Sequence, residues 1–560
     1  MPLLRILLIL CFLSLGSVNA QSFLRVDHSE FAGENVEGKE LLKNISKAKK
    51  LFDKGESSYL ECLELLMECN YFNNANAELN YNIGLCYLKY GGKHLAKPYF
   101  EQVKALKPNV NSKLYLYLGQ ACQYASDYSE AILNYKIYSE IIQKEGGKRK
   151  NEELKLVAKY IEACKTGQIL LGKVSDFGVE KMPEPINTDA NDILAIKDGA
   201  KLFFISDRIL DGEKKTKKDK SLLRGFSVVL LNGEWSSFSV LNDEKKSVDL
   251  PIMVDKVDVN RYLFYDKNEG RGDLVFMQKD EKFWIKEMDV FFVNEKKSNE
   301  TSASFTSDGK TVAFVSNRDG GQGDIFFCQM DSEGEWSKPV KFGVQINSDQ
   351  DEKDVFLSDD GNVIYFSSKG RNSIGGYDIF KSEKDENGNW MEAQNMGIPI
   401  NSPYDDCHFY PYEGDSFLFD SNRGENGKFD IYTKKFIEKA VKEEEKIEVT
   451  EPVAKVEVLP EVVPVPVEEI AEPVRISYRI QIAASKKELK NHDLNKLYRG
   501  YEDIESSFDG EWYRYTIGNY DRLEDAIYFK DRSGVEKAFI VSFENEMRKE
   551  IITNYSLSNR

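Results

Sequence analysis

The stretch 316–327, SNRDGGQGDIFF, returns twice further along the chain. FTSDGKTVAFVSNRDGGQGDIFF aligns with FLSDDGNVIYFSSKGRNSIGGYDIF and with YPYEGDSFLFDSNRGENGKFDIY. Phe314, Phe366 and Phe419 are 52 and 53 residues apart, and Asp324, Asp378 and Asp430 are 54 and 52 apart. Trp336 and Trp390 follow in GEW and GNW, then INS at Ile346 and Ile400. Weaker copies cover 197–208 and 258–276, with Trp235 and Trp284 behind them. A repeat constrains a fold strongly, because every unit buries the same face against its neighbours. Five copies of four short strands, each about 50 residues long, predict a five-bladed β-propeller. The last copy lacks its Trp strand and INS, and 173–189 supplies a matching piece at the front. The N-terminal strand is therefore expected to complete the final blade and remove its open edge.

In that register the glycine-rich stretch is a hairpin and not a phosphate cradle or metal loop. Gly320, Gly321 and Gly323 are expected to supply positive φ, and Asp324 to bond the turn's backbone. RGD at 271–273 falls where other blades have GQGD, GGYD and GKFD, and SDDGN at 358–362 reads as a turn before a strand. The second lacks the Glu and flanking helices of a calcium-binding EF-hand.

Before the β repeats, residues 40–171 show apolar residues at spacings of three and four with almost no proline. Gly84 and Gly119, Ala96 and Ala131, and Phe100 and Tyr135 are each 35 residues apart. That period predicts stacked helical hairpins. Gly84, Tyr87, Ala96, Phe100 and Pro108 give this segment a resemblance to tetratricopeptide repeats, with Asn80 where that family often has Trp. The resemblance implies a surface for a protein segment. The β repeats resemble the TolB-type, WD-like propeller repeats of bacterial envelope proteins.

Residues 437–474 hold five prolines, many Val and Glu, and no aromatics. They read as an extended linker, with a reach on the order of 100 Å. After it, SYRIQIAAS, KKELKNHDLNKLYRG, GEWYRYTIGNY, DRLEDAIYFKDRSG and KAFIVSFEN alternate strand and helix patterns, a small α+β fold. Alternation places Tyr478, Ile480 and Ile482 on one strand face and Arg479, Gln481 and Ala483 on the other. YRIQIAAS, WYRYTIGNYDRLEDA and AFIVSF resemble the SPOR domain, which binds peptidoglycan glycan strands stripped of stem peptides. That resemblance implies a glycan site on the sheet, with Gln481, Tyr513, Arg514 and Tyr515 as its candidate residues. Aromatic rings and amide or guanidinium donors suit a sugar chain.

The formal charge of −18 argues against nucleic acid or anionic membrane as a partner. Residues 1–20 read as a secretory signal peptide: Arg5, an apolar run from Leu3 to Leu15, and small residues ending at Ala20. No other apolar run reaches the ~18 residues of a membrane span. Seven cysteines follow Ala20 without a CxxC pair, and four histidines lie at no ligand spacing. They read as buried core thiols, with no metal site and no cofactor. Hydrolase, kinase and nucleotide-binding motifs are absent.

The expected organisation is a signal peptide at 1–20, helical repeats at 21–172, a propeller at 173–436, a linker at 437–474 and a SPOR-like domain at 475–560. This layout resembles envelope proteins of Bacteroidota, including the peptidoglycan-associated periplasmic component of type IX secretion. The expected function is a non-catalytic periplasmic scaffold that binds peptidoglycan and envelope proteins. The alternatives are an assembly factor of an envelope secretion or gliding machinery, and a glycan-sensing or hydrolytic propeller.

Overall fold

The computed structural model describes residues 23–31, 36–55, 58–145, 150–173, 175–210, 223–241, 250–254, 261–266, 272–279, 284–290 and 292–436. In the C-terminal part it describes 476–490, 504–508, 512–520, 538–544 and 547–552, with single positions at 494, 498, 526, 530 and 535. The expected signal peptide and linker lie outside the described residues. The chain divides into two compact units, meeting between Val441 and Lys442. Among the described residues no helix is long and apolar enough to cross a membrane.

Among the described residues seven α-helices open the first unit: α1 (Val36–Lys54), α2 (Tyr59–Phe72), α3 (Ala77–Tyr90), α4 (Lys97–Leu106), α5 (Leu114–Tyr124), α6 (Tyr128–Glu145) and α7 (Lys150–Leu171). Each packs on the next. The 35-residue period has a steric cause. A Cβ at Gly84 would meet the Phe100 ring at 2.7 Å, and one at Gly119 would meet the Tyr135 ring at 2.6 Å. The aromatic fills the space that the glycine leaves, so paired helices approach closely. Asn80 is fully buried and holds the turn before α3, donating to the carbonyls of Asn74 and Asn76 and accepting from Asn70. All seven described cysteines are buried and free, as small core residues.

Among the described residues five antiparallel sheets follow, the first five-stranded and the other four four-stranded. Blade 1 is Asp192–Asp198, Lys201–Ser206, Arg224–Leu231, Glu234–Trp235 and Ser239–Val240, the last two both pairing with the third strand. Blade 2 is Leu250–Val254, Arg261–Asp266, Asp273–Lys279 and Trp284–Asp289. Blade 3 is Glu300–Phe305, Thr311–Ser316, Asp324–Gln329 and Val340–Lys341. Blade 4 is Glu352–Leu357, Val363–Ser368, Asp378–Glu383 and Gln394–Asn395. Blade 5 joins Asp406–Tyr412, Ser416–Ser421 and Asp430–Phe436 to Phe177–Lys181 from the front of the repeat region. The first strands touch in order around the ring, and that of blade 5 touches that of blade 1. The result is a closed five-bladed propeller, sealed where Phe177 pairs Phe436 and Lys181 pairs Tyr432.

The INS signature explains how blades are joined. Its asparagine forms both bonds of a backbone-like pair with the third strand of the preceding blade. Asn187 accepts from Ile431 N and donates to Ile431 O, both at 2.8 Å. Asn294 does this with Leu274, Asn347 with Ile325 and Asn401 with Ile379. The preceding Ile186, Val293, Ile346 and Ile400 are buried in the core. The following Thr188, Ser348 and Ser402 donate through amide and hydroxyl to the carboxylate four residues on.

That carboxylate begins the first strand of its blade, and three blades neutralise it with arginine. Arg208 reaches Asp192 at 2.6 Å, Arg318 reaches Glu300 at 3.3 Å and Arg423 reaches Asp406 at 2.5 Å. Each guanidinium also lies about 5 Å over a pair of rings, such as Phe314 and Phe326 under Arg318. Stacking and ion pairing together offset the desolvation of a buried charge.

The hairpin 316–324 differs from expectation in two details. Gly320 and Gly321 have φ of 88° and 113°, but Gly323 does not sit at positive φ. A Cβ there would meet the Glu352 carbonyl at 2.5 Å, so close approach requires that glycine. Asp324 pairs with Lys341 at 2.7 Å instead of bonding the turn. In SDDGN, Asp360 accepts from Ser358 and from the Asn362 amide, an ordinary turn.

The helices dock on blades 4 and 5. Lys93 donates to the Tyr124 hydroxyl at 3.2 Å and lies 4.5 Å from that ring's centre and 5.7 Å from that of Tyr404. His94 Nδ1 bonds the Tyr404 hydroxyl at 2.9 Å. Gln123 donates to the Ile374 carbonyl at 3.0 Å and is held by the Tyr135 hydroxyl at 2.8 Å. Backbone meets backbone at Gly91 and Gly427, where a Cβ on Gly91 would lie 2.3 Å from Gly427 N.

Replacing Arg423 with Met leaves Asp406 buried without its cation, and denaturant unfolding is expected to show a loss of about 3–5 kcal/mol. Adding Asp406→Asn should recover part of it. Tyr404→Ala removes the buried ring at the joint. Calorimetry should then show the single transition of helices and propeller split into two, with about 3–5 kcal/mol lost.

Candidate functional site

The second unit is a five-stranded antiparallel sheet in the order Ile504–Phe508, Tyr513–Tyr520, Ile476–Ser485, Phe539–Glu544 and Met547–Ile552. Sequence patterning gave the three central strands and missed the two edges. Ile504–Phe508 is mostly exposed and shows no alternation, so no hydrophobic period marks it. The expected helices at 486–500 and 521–534 fall largely outside the described residues. Within them, Leu494 and Tyr498 donate to carbonyls four residues back. Leu494, Tyr498 and Ala526 pack on the sheet with Ile480, Ile482, Tyr515, Ile517 and Ile540.

The sheet has one core face and a second, arginine-bearing polar face that also buries Gln481, Val541 and Phe543, and the four candidate residues divide between them. Tyr515 is a core residue, 1% exposed, and its hydroxyl accepts from Leu489 N at 2.6 Å. Tyr513 lies on the same side, half-buried against the core, with Phe508 at 4.7 Å between ring centres. Gln481 and Arg514 lie on the polar face. Gln481 pairs with Thr516 and its side-chain carbonyl accepts from Arg548 at 3.2 Å. Arg514 is half-buried and pairs with Ser507 on the edge strand.

Two further arginines join that face. Arg479 bonds Glu505 at 2.5 Å and lies 4.6 Å over the Phe543 ring. Arg548 reaches across from the last strand. Alternation had already put Arg479 beside Gln481, but Arg548 sits on an edge strand that the sequence pattern did not reveal. The face thus carries three guanidinium groups, one buried amide and one carboxylate, on a chain whose net charge is −18. Planar donors of this kind bind hydroxyls and carboxylates.

The propeller axis holds a second cluster. Leu194, Asp354 and His408 occupy equivalent bulges of three first strands with φ of 56°, 53° and 53°. At each bulge a backbone amide turns to a side chain of the preceding blade: Leu194 to Asp420, Val355 to Ser302 and His408 to Ser367. Burial holds His408 down at about 4, so it is neutral at neutral pH, and pushes Asp420 well above the usual carboxylate range. Their closest atoms are 3.8 Å apart, beyond hydrogen-bond reach. Deeper in, Phe356 meets Tyr410 edge to face at 5.4 Å, and the Tyr410 hydroxyl donates to the Lys197 carbonyl. Among the described residues no group of three His, Cys, Asp or Glu side chains is placed to hold a metal ion.

Neither a protein-family model nor a curated protein matches the chain. Solved structures similar to it include a TolB from Agrobacterium tumefaciens (18% identity, 42% of this chain and 71% of that one, TM-score 0.27). A TolB from Acinetobacter baumannii also matches (18% identity, 50% and 70%, TM-score 0.24). So does an endo-arabinase from Bacteroides thetaiotaomicron (13% identity, 46% and 98%, TM-score 0.31). At these scores the likeness carries neither substrate nor partner, and the propeller assignment rests on the closed ring of five sheets.

The two faces predict opposite outcomes for substitution. Tyr515→Phe removes a buried hydrogen bond and is expected to cost about 1 kcal/mol in denaturant unfolding. Arg514→Ala on the polar face should change stability by less than about 0.5 kcal/mol.

Proposed function

We propose that this chain is a non-catalytic scaffold of the bacterial envelope that grips glycan through its C-terminal sheet. The observation that carries the reading is the polar sheet face with Arg479, Gln481, Arg514 and Arg548. The resemblance of YRIQIAAS and WYRYTIGNYDRLEDA to SPOR sequences supports peptidoglycan glycan as the ligand. Of the four candidate residues, Arg514 is assigned to ligand contact, and the buried Gln481 to holding Arg548 in place for it. Tyr513 and Tyr515 hold the sheet from its core side. The helices and propeller together serve as the platform for an envelope protein partner, in a periplasmic setting. A role in assembling a secretion or gliding machinery is one form of this reading, and the shared layout supports it.

A hydrolytic propeller is the competing reading, resting on Asp354, His408 and Asp420 at the axis. Its support is weaker, because Asp420 is committed to the Leu194 amide and His408 is neutral and out of reach of it.

Co-sedimentation of the full chain with amidase-treated cell-wall sacculi tests the scaffold reading. Binding is expected, and Gln481→Ala with Arg514→Ala should weaken it roughly tenfold or more, the loss of one or two charge-assisted bonds. A chain that stays in the supernatant with denuded walls, or a double variant that binds as well as the parent, contradicts it.

A further inference from the structure

Blade 4 lacks the arginine clamp that blades 1, 3 and 5 share. In blade 3 the row across the first three strands is Glu300, Ser316 and Asp324, and in blade 5 it is Asp406, Ser421 and Asp430. Each row is closed by two cations. Arg318 and Arg423 take the first carboxylates, and Lys341 and Lys181 take the third-strand aspartates at 2.7 and 2.8 Å. The row in blade 4 is Glu352, Ser368 and Asp378, all fully buried. Here Gly370 stands in place of the arginine and Asn395 in place of the lysine. Arg371, one residue later, turns away to Glu392 and to the Val344 and Asn347 carbonyls.

Both buried acids are therefore without a cation among the described residues. Glu352 Oε1 accepts from Ser348 and Ser368, while its Oε2 has no hydrogen-bond partner. Asp378 accepts from Asn395 at 2.7 Å, from Ser373 Oγ at 3.0 Å and from Ile374 N at 3.0 Å. The charged groups facing the two acids add no compensation. Asp324 of blade 3 faces Glu352 and Asp406 of blade 5 faces Asp378, while α6 contributes the Tyr128 hydroxyl. Lys353 and Lys369 both lie over the Tyr377 ring, whose hydroxyl donates to Asp351.

The position of the two acids gives them leverage. Asp378 holds the turn 373–374, and Gln123 of α5 docks on the Ile374 carbonyl. The same turn packs on the entry loop of blade 5, through Gly376 N to Tyr404 O and Tyr377 N to Asp405. Tyr404 in turn carries His94 of the helical array.

We propose that the hairpin 369–377 is a proton-operated joint: loss of protons from Glu352 and Asp378 loosens this turn and, with it, the seat of α5 on the propeller. Burial pushes Glu352 up to about 7 and Asp378 up to about 8, the latter against three donors that favour its charged form. A carboxylate raised in the folded state stabilises it while protonated, and that contribution is lost as pH rises through these values. The joint is tight at pH 6 and loose at pH 9.

Hydrogen exchange of the full chain, corrected for the intrinsic pH dependence, reads this directly. Protection of 369–377 and of α5 is expected to fall about tenfold or more from pH 6 to pH 9, relative to the equivalent hairpin 316–324 of blade 3. Glu352→Gln, and separately Asn395→Lys, which restores the lysine that blades 3 and 5 have, should each reduce that change, and the two together should cut it to a few-fold at most. Equal change in both hairpins, or undiminished pH dependence in whichever variant folds, overturns the proposal.

Discussion

An asparagine that imitates a peptide bond holds the propeller together. Asn187, Asn294, Asn347 and Asn401 each give one acceptor and one donor to the third strand of the neighbouring blade. They lock four of the five inter-blade junctions to a strand that would otherwise end in unpaired backbone groups. The isoleucine or valine before each asparagine anchors the loop in the core. The hydroxyl after three of them orients the first carboxylate of the next blade. Three residues thus connect blade packing to the charged row of the next blade.

The architecture was legible where side chains repeat. Phe314, Phe366 and Phe419 marked the second strands, and the missing final strand predicted that the N-terminal strand completes blade 5, where Phe177 pairs Phe436. What the sequence could not show was the division of labour within a motif. Gly323 looked like its neighbours but serves close approach to the Glu352 carbonyl. Asp324 looked like a turn residue, but Lys341, 17 residues away, is its partner.

The candidate site shows the same limit. Alternation separated Gln481 from Ile480 and Ile482, since a period of two is all that a strand requires. It could not set Tyr515 apart as core, because an aromatic suits a sugar face and a hydrophobic core equally well. Arg548 escaped notice because edge strands with an exposed face lack an apolar stripe. The joint between helices and propeller was also invisible. It depends on Gly91 meeting Gly427 and Gln123 meeting Ile374, pairs far apart in sequence with no periodic signal.

The helices dock on blades 4 and 5, so the arrangement of the first unit depends on the ring remaining closed. The most direct measurement is the unfolding free energy of Asn187→Leu, which removes the clamp across the seam between Met182, Ile431 and the last strand. The clamp account predicts a loss of about 3 kcal/mol or more, since the Ile431 amide and carbonyl are left buried without partners. Unchanged stability would show that the seam is held by packing alone and would contradict the clamp as the element on which the ring depends.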